Sequence, residues 1–100
     1  APVQAKVLPL SDKYADYANE VVEELRRRGV RVEADHRAEK IGYKIREARL
    51  ERTPYILVVG EKEAENKEVS VRSRKNGEEG AMPLADFVNR IVLEIANREN

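Results

Sequence analysis

The sequence predicts an α/β fold whose sheet opens with a parallel strand–helix–strand unit. Three observations carry that prediction. Short apolar stretches alternate with longer segments of helical periodicity. The first helical segment returns to the next strand through little more than Gly29, and so short a return favours a parallel pair with a right-handed crossover. Finally, Tyr55 to Val59 (YILVV) is apolar without interruption, as expected of a central strand covered on both faces. A chain of 100 residues makes one domain, 1–100, with enough mass for a core of its own. It begins at Ala1, directly before a strand, which is expected of a domain cut from something longer.

Each element has its own signals. Gln4 to Leu10 is strand-like, and Ser11 then offers an N-cap with Asp12 in the first helical turn. Tyr14, Ala18, Val21, Val22 and Leu25 recur at helical spacing, while Glu20, Glu23, Glu24, Arg26 and Arg27 take the other face. An arginine-rich last turn and Gly29 as C′ residue close this helix. Val30 to Ala34 reads as the second strand. Asp35 to Glu39 is polar, and Lys40 to Arg52 is the second helix, with Ile41, Ile45 and Ala48 inward. Pro54 ends it by biasing Thr53 away from helix, and YILVV follows. In Glu68 to Ser73, Val69 and Val71 point one way and Glu68, Ser70 and Arg72 the other. Lys75 to Gly80 reads as a charged, glycine-bracketed loop. A last amphipathic helix runs from Leu84 to about Ala96, with Leu84, Val88, Ile91, Val92 and Ile95 inward.

Composition removes several classes of function. Basic and acidic residues balance at 19 each, so nucleic-acid binding has to come from local clustering and not from a global field. No apolar run approaches the roughly 20 residues that span a bilayer, and the start carries no signal-peptide pattern. With no cysteine there are no disulfides or thiolate metal sites, which fits a cytoplasmic protein. The single histidine, His36, reads as a loop residue and not as a metal ligand, so no metal is expected. No glycine-rich phosphate loop follows any strand, and Ser11, Thr53, Ser70 and Ser73 have no histidine close in sequence. Neither catalysis nor a cofactor is expected.

Local charge is more telling. Arg37 to Arg52 holds six basic side chains (Arg37, Lys40, Lys44, Arg46, Arg49, Arg52) against Glu39, Glu47 and Glu51. Lys67 to Lys75 holds Lys67, Arg72, Arg74 and Lys75 against Glu68. If the sheet sets these segments side by side they form a basic patch suited to phosphates; otherwise they are ordinary solvated faces. Tyr43 suits either stacking on an unpaired base or half-burial against its helix neighbours. Gly42 costs a helix about 1 kcal/mol relative to alanine, for one of two reasons: a strand packs too closely for a Cβ, or a ligand backbone approaches there.

The segments APVQAKVLPLSDKYADYANEVVEELRRRGVRVEAD, EKIGYKIREARLERTPYILVVGEKE and VSVRSR resemble the anticodon-binding domains of class II aminoacyl-tRNA synthetases, most of all those of the threonine-specific family. The resemblance covers essentially the whole chain. It implies a three-layer α/β/α domain with a mixed five-stranded sheet flanked by three helices. The implied partner is the anticodon stem-loop of threonine tRNA, read at its second and third anticodon bases, G and U, alongside the catalytic domain of a parent enzyme. The domain alone is expected to be a non-catalytic monomer, since it lacks the class II arginine motifs that bind ATP. Arg52, Glu63 and Arg72 fall at base-reading positions. Lys40, Lys44 and Arg46 would hold phosphates, with Arg37, Glu39 and Arg74 around them. Ala38 replaces an asparagine usual in the family, which removes one amide able to meet a base edge. His36 and Pro83 also depart from the pattern and suggest a divergent homologue or an engineered copy. Two readings from other classes stay open: the same fold serving as a protein-interaction module or scaffold with RNA binding lost, and a flavodoxin-like nucleotide enzyme, disfavoured by the missing phosphate loop.

Overall fold

The computed structural model describes residues 3–98. In chain order it runs β1 (Ala5–Pro9), a 3-10 turn (Asp12–Tyr14), α1 (Ala15–Arg27), β2 (Val32–Ala34), α2 (Ile41–Leu50), β3 (Tyr55–Val59), α3 (Glu61–Asn66), β4 (Glu68–Ser73), β5 (Gly77–Pro83) and α4 (Leu84–Arg98). The five strands form one sheet in the order β2-β1-β3-β4-β5. Both β2 and β3 lie parallel to β1, whereas β4 and β5 continue antiparallel. The mixed five-stranded sheet is as expected, and the short α3 adds a fourth helix.

Strand alternation sorts the core into two layers. Ala5, Val7, Tyr55, Leu57, Val59, Val69 and Val71 face one way, onto Tyr17, Ala18, Val21 and Leu25 of α1 and Phe87, Val88 and Ile91 of α4. Phe87 is fully buried, and its ring meets that of Tyr55 edge-on at 5.2 Å. Burying such a side chain contributes roughly 1.5–3 kcal/mol. The opposite face carries a much smaller cluster, Leu8 and Ile56 under Ala48 of α2, flanked by Ile41, Ile45 and Val58. Register places Arg72 opposite Ile56 and Ser70 opposite Val58, on this same face. Among the described residues only α2 packs there, against β1 and β3, so Ser70 and Arg72 stay half-buried and Ala81 exposed.

Two expectations are corrected, and one segment without an assignment proves helical. Ser11 caps the 3-10 turn without a side-chain hydrogen bond, and α1 starts only at Ala15, so Tyr17 takes the buried place expected of Tyr14. The Tyr17 hydroxyl donates to the Glu68 carbonyl at 2.6 Å. The acidic run after Gly60 is helical because Gly60 N–H donates to Glu63 Oε1 at 2.7 Å, closing the first turn. A Cβ on Gly60 would lie 2.4 Å from Leu10 Cδ1, so a larger residue here would have to push that half-exposed side chain aside. Finally, Gly77 to Gly80 is strand and not loop. It is held by pairing with β4, and Gly77 (φ +74°) and Gly80 (φ +89°) adopt the conformations the hairpin needs.

Candidate nucleic-acid interface

The end of α2 is built as a Schellman motif. Thr53 N–H donates to the Ala48 carbonyl at 3.1 Å and Arg52 N–H to the Arg49 carbonyl at 3.0 Å, with Arg52 itself at φ +62°. Arg74, in the turn after β4, ties back to this corner. Its N–H donates to the Pro54 carbonyl at 2.9 Å, and its guanidinium reaches the Arg52 carbonyl at 3.4 Å. Between the corner and the β4–β5 hairpin lies a cleft of about 360 Å³, lined by Arg49, Thr53, Ile56, Arg72, Ser73, Arg74, Gly77 and Glu78. Arg72 Nη2 stands 3.4 Å from Glu78 Oε2 across the strand pair. The cleft therefore holds three guanidiniums and one carboxylate, the donor and acceptor types that read base edges.

A β-bulge sets this hairpin. Pairing jumps from Val71–Gly80 to Arg72–Glu78, so Glu79 is the extra residue. Its carboxylate turns to the other side of the sheet and takes Arg90 of α4 in two bonds, at 2.6 and 3.0 Å. Arg90, with Ser73 and Asn76 as further donors, holds the Glu79 carboxyl down at about 2. The Arg90 guanidinium also lies over the Tyr55 ring at 5.4 Å, and the Tyr55 hydroxyl donates to Glu94 at 2.7 Å. Burial, then Glu94, pushes the Tyr55 hydroxyl up to about 12.

The remaining residues marked from sequence are divided. Arg72 and Arg74 gather at the cleft, whereas Arg52 gives only its carbonyl to the corner and itself lines a separate pocket with Lys6, Glu33 and Glu51. Arg37 sits elsewhere, forked onto the buried Asp35 at 2.7 and 3.0 Å and also paired with Glu47. That guanidinium holds Asp35 at about 2 and depresses Glu47 as well. The neighbouring Glu47 carboxylate raises the Tyr43 hydroxyl above its usual value. Lys44, expected on the outer face, is buried (5% exposed), and its ammonium donates to the Asp35 carbonyl at 2.9 Å. Glu63 spends one oxygen on Gly60. Lys40, Glu39 and Arg46 are exposed on or before α2, and Arg46 and Arg49 have no acidic partner among the described residues. His36 is exposed, with Nε2 3.0 Å from Asn19 Oδ1. Among the described residues no three His, Asp or Glu side chains converge to hold a metal, and no helix is long and apolar enough to cross a membrane.

Arg49, Thr53 and Glu78 went unmarked as site residues. Arg49 follows from helical spacing, three residues after Arg46 and three before Arg52. Glu78 needed the β4–β5 register, which a loop reading of Lys75 to Gly80 conceals.

Residues 4–94 match the family model described as anticodon binding domain. The threonine–tRNA ligase of Clostridium botulinum (strain Eklund 17B / Type B) is 73% identical over 99 residues, 99% of this chain and 15% of that protein. The Acetivibrio thermocellus ligase of the same name is 62% identical over 100 residues, 100% of this chain and 16% of its own length. The chain thus spans about 15% of the length of these curated relatives. Among solved structures, the RNA binding domain of threonyl-tRNA synthetase from Cryptosporidium parvum Iowa II superposes with a TM-score of 0.83 at 40% identity, covering 90% of this chain and 23% of that one. Histidyl-tRNA synthetase from Nostoc sp. PCC 7120 shares the fold at 22% identity and a TM-score of 0.86, covering 95% of this chain and 23% of that one.

Proposed function

Because this chain belongs to the anticodon-binding domain family, we propose that it recognises the anticodon loop of a tRNA, that of threonine tRNA, for a larger threonine–tRNA ligase. The threonine assignment draws on the 73% identity to a ligase of that name. The observation that carries the reading is the cleft between the α2 corner and the β4–β5 hairpin, where Arg72, Arg74 and Arg49 stand over a half-open sheet face. Arg72 reads guanine acceptors, and Arg52 meets the neighbouring base from the corner. Glu78, beside Arg72, accepts from a base N–H. Glu63 has one carboxylate oxygen without a hydrogen bond among the described residues and is the second acceptor, reading on the side of β3 where α3 begins. The second and third anticodon bases, G and U, are the pair read. Lys40, Arg46 and Arg74 hold phosphates. Arg37 and Lys44 act through the loop they fix, Arg37 by pairing with Asp35 and Glu47, Lys44 by holding the Asp35 carbonyl; Glu39 lies on that loop. On this reading the catalytic domain of the parent enzyme supplies the chemistry, and the chain works as a monomeric unit in the cytoplasm.

The test is a titration of the domain with a threonine anticodon stem-loop at low and moderate salt, against a loop altered at the second and third anticodon bases. The expected affinity is micromolar or weaker, because few phosphates are in reach. Arg72→Ala costs about 1–3 kcal/mol with the cognate loop and much less with the altered one. Equal binding of both loops, or none, means the fold has been kept and the recognition has not.

A further inference from the structure

The outer flank of α2 is left unexplained by the cleft. Gly42 is exposed there, and a Cβ at this position would meet nothing within 4 Å. Close packing against a strand therefore does not account for the glycine, since nothing inside the domain occupies the space a side chain would take. Beside it runs a shallow groove of about 410 Å³, walled by Ile45, Arg46, Arg49 and Leu50. Leu50 is 76% exposed. Arg46 and Arg49 have no acidic partner among the described residues, whereas Arg37, Arg72 and Arg90 are all paired. Arg49 lines both this groove and the cleft, so the two run into each other. Seven helical residues separate Gly42 from Arg49, about 10 Å along the axis.

We infer that this groove is a track for the sugar–phosphate backbone of the strand whose bases enter the cleft, with Gly42 bare to let the strand approach and Arg46 and Arg49 neutralising its phosphates. The inference rests on the anticodon-loop reading and extends its footprint along α2. A polyanion is the occupant that two unpaired guanidiniums select, because an apolar segment would desolvate them without supplying counter-charge. A bare Cα is what a close backbone approach requires.

The experiment takes the 100-residue chain as wild type, Gly42→Ala, Gly42→Gln and Arg46→Ala, with the threonine anticodon stem-loop as probe and thermal denaturation alongside. Gly42→Ala leaves Tm unchanged or raises it by up to about 4 °C, because alanine is the better helix former and meets no neighbour. It weakens binding about fivefold at 0.1 M salt, the value of one lost phosphate contact, and Gly42→Gln weakens it further. Arg46→Ala lowers the slope of log K against log salt by about 0.7. Unchanged affinity in both Gly42 variants, with wild type still binding, overturns the track and leaves the cleft reading intact. A lower Tm in Gly42→Ala also overturns it, by showing that the glycine serves the fold. Failure of wild type to bind overturns the cleft reading and the track together.

Discussion

Arg52 holds φ +62° at the C′ position of α2, where a β-carbon is strained and glycine is the usual occupant. Gly29 fills the equivalent place after α1 at φ +83°, with the same pair of closing hydrogen bonds: Gly29 N–H to the Arg26 carbonyl at 3.0 Å and Val30 N–H to the Leu25 carbonyl at 3.0 Å. Two helices thus end in one motif, and the one beside the cleft uses arginine. Strain kept where glycine would relieve it points to a use for the side chain. Arg52→Gly is expected to raise stability by up to about 1 kcal/mol, the αL penalty less the extra freedom glycine gives the unfolded chain. The same change weakens cognate loop binding by about 1–3 kcal/mol if Arg52 meets a base. Urea midpoints and stem-loop titrations on the same protein separate the two effects, and a gain in stability at constant affinity would remove Arg52 from the reading set. At this scale the sequence was legible where strand alternation sets direction, as for Arg72, and misleading where charge stood in for spacing. Lys44 lies three residues after Ile41 and four before Ala48, on the inner stripe, yet its charge suggested the outside; the Asp35 carbonyl is what lets an ammonium stay buried there.

Two partly buried ion pairs join elements that packing alone leaves loosely connected. Asp35–Arg37 clamps the segment before α2, and Glu79–Arg90 fastens the β4–β5 hairpin to α4. Both carboxyls are depressed in the folded protein to about 2, against ordinary values of 3.8 and 4.5. Their contribution is fully present above about pH 5 and is lost as pH falls through 2. Each is worth on the order of 1 kcal/mol once solvent screening is allowed for. Tyr17 and Tyr55, both pushed up to about 12 mainly by burial, set the opposite limit: stability holds below pH 10 and falls as pH rises through 12. Urea midpoints should therefore be level near neutrality and drop on both sides. Glu79→Gln should lie below wild type at pH 7 and converge with it only below pH 2, where the native carboxyl is also neutral. Parallel curves would show that the pair does not set the acid limb. The elements that escaped sequence reading share a physical reason. α3 has only Ala64 among charged and polar residues to betray a helical stripe, and β5 carries two glycines and two glutamates, so pairing and not burial makes it a strand. Phe87, absent from the expected inner stripe of α4, sits at its correct spacing between Leu84 and Ile91.

For the whole molecule, zero net charge argued against a nucleic-acid binder only if charges act collectively. The domain's principal extents are 39 × 28 × 22 Å, so even its shortest dimension is about twice the roughly 10 Å Debye length at 0.1 M salt. If the proposed RNA strand lies over α2, at that ionic strength it should respond to Arg46, Arg49 and the cleft, and hardly to the acidic residues of α1 on the other side of the sheet. Arg46→Glu and Arg28→Glu change the net charge by the same two units from opposite faces, Arg28 being exposed at the end of α1. At 0.1 M salt, filter binding should show Arg46→Glu weakening the stem-loop complex roughly tenfold, through one lost phosphate contact and one new repulsion. Arg28→Glu should leave it within about twofold. At 0.01 M salt the Debye length reaches about 30 Å and spans the domain, so the Arg28 variant should begin to weaken as well. Equal losses at 0.1 M would mean that the molecule's total charge and not its α2 face governs association. A loss confined to Arg46→Glu would locate the binding surface on one side of a neutral protein.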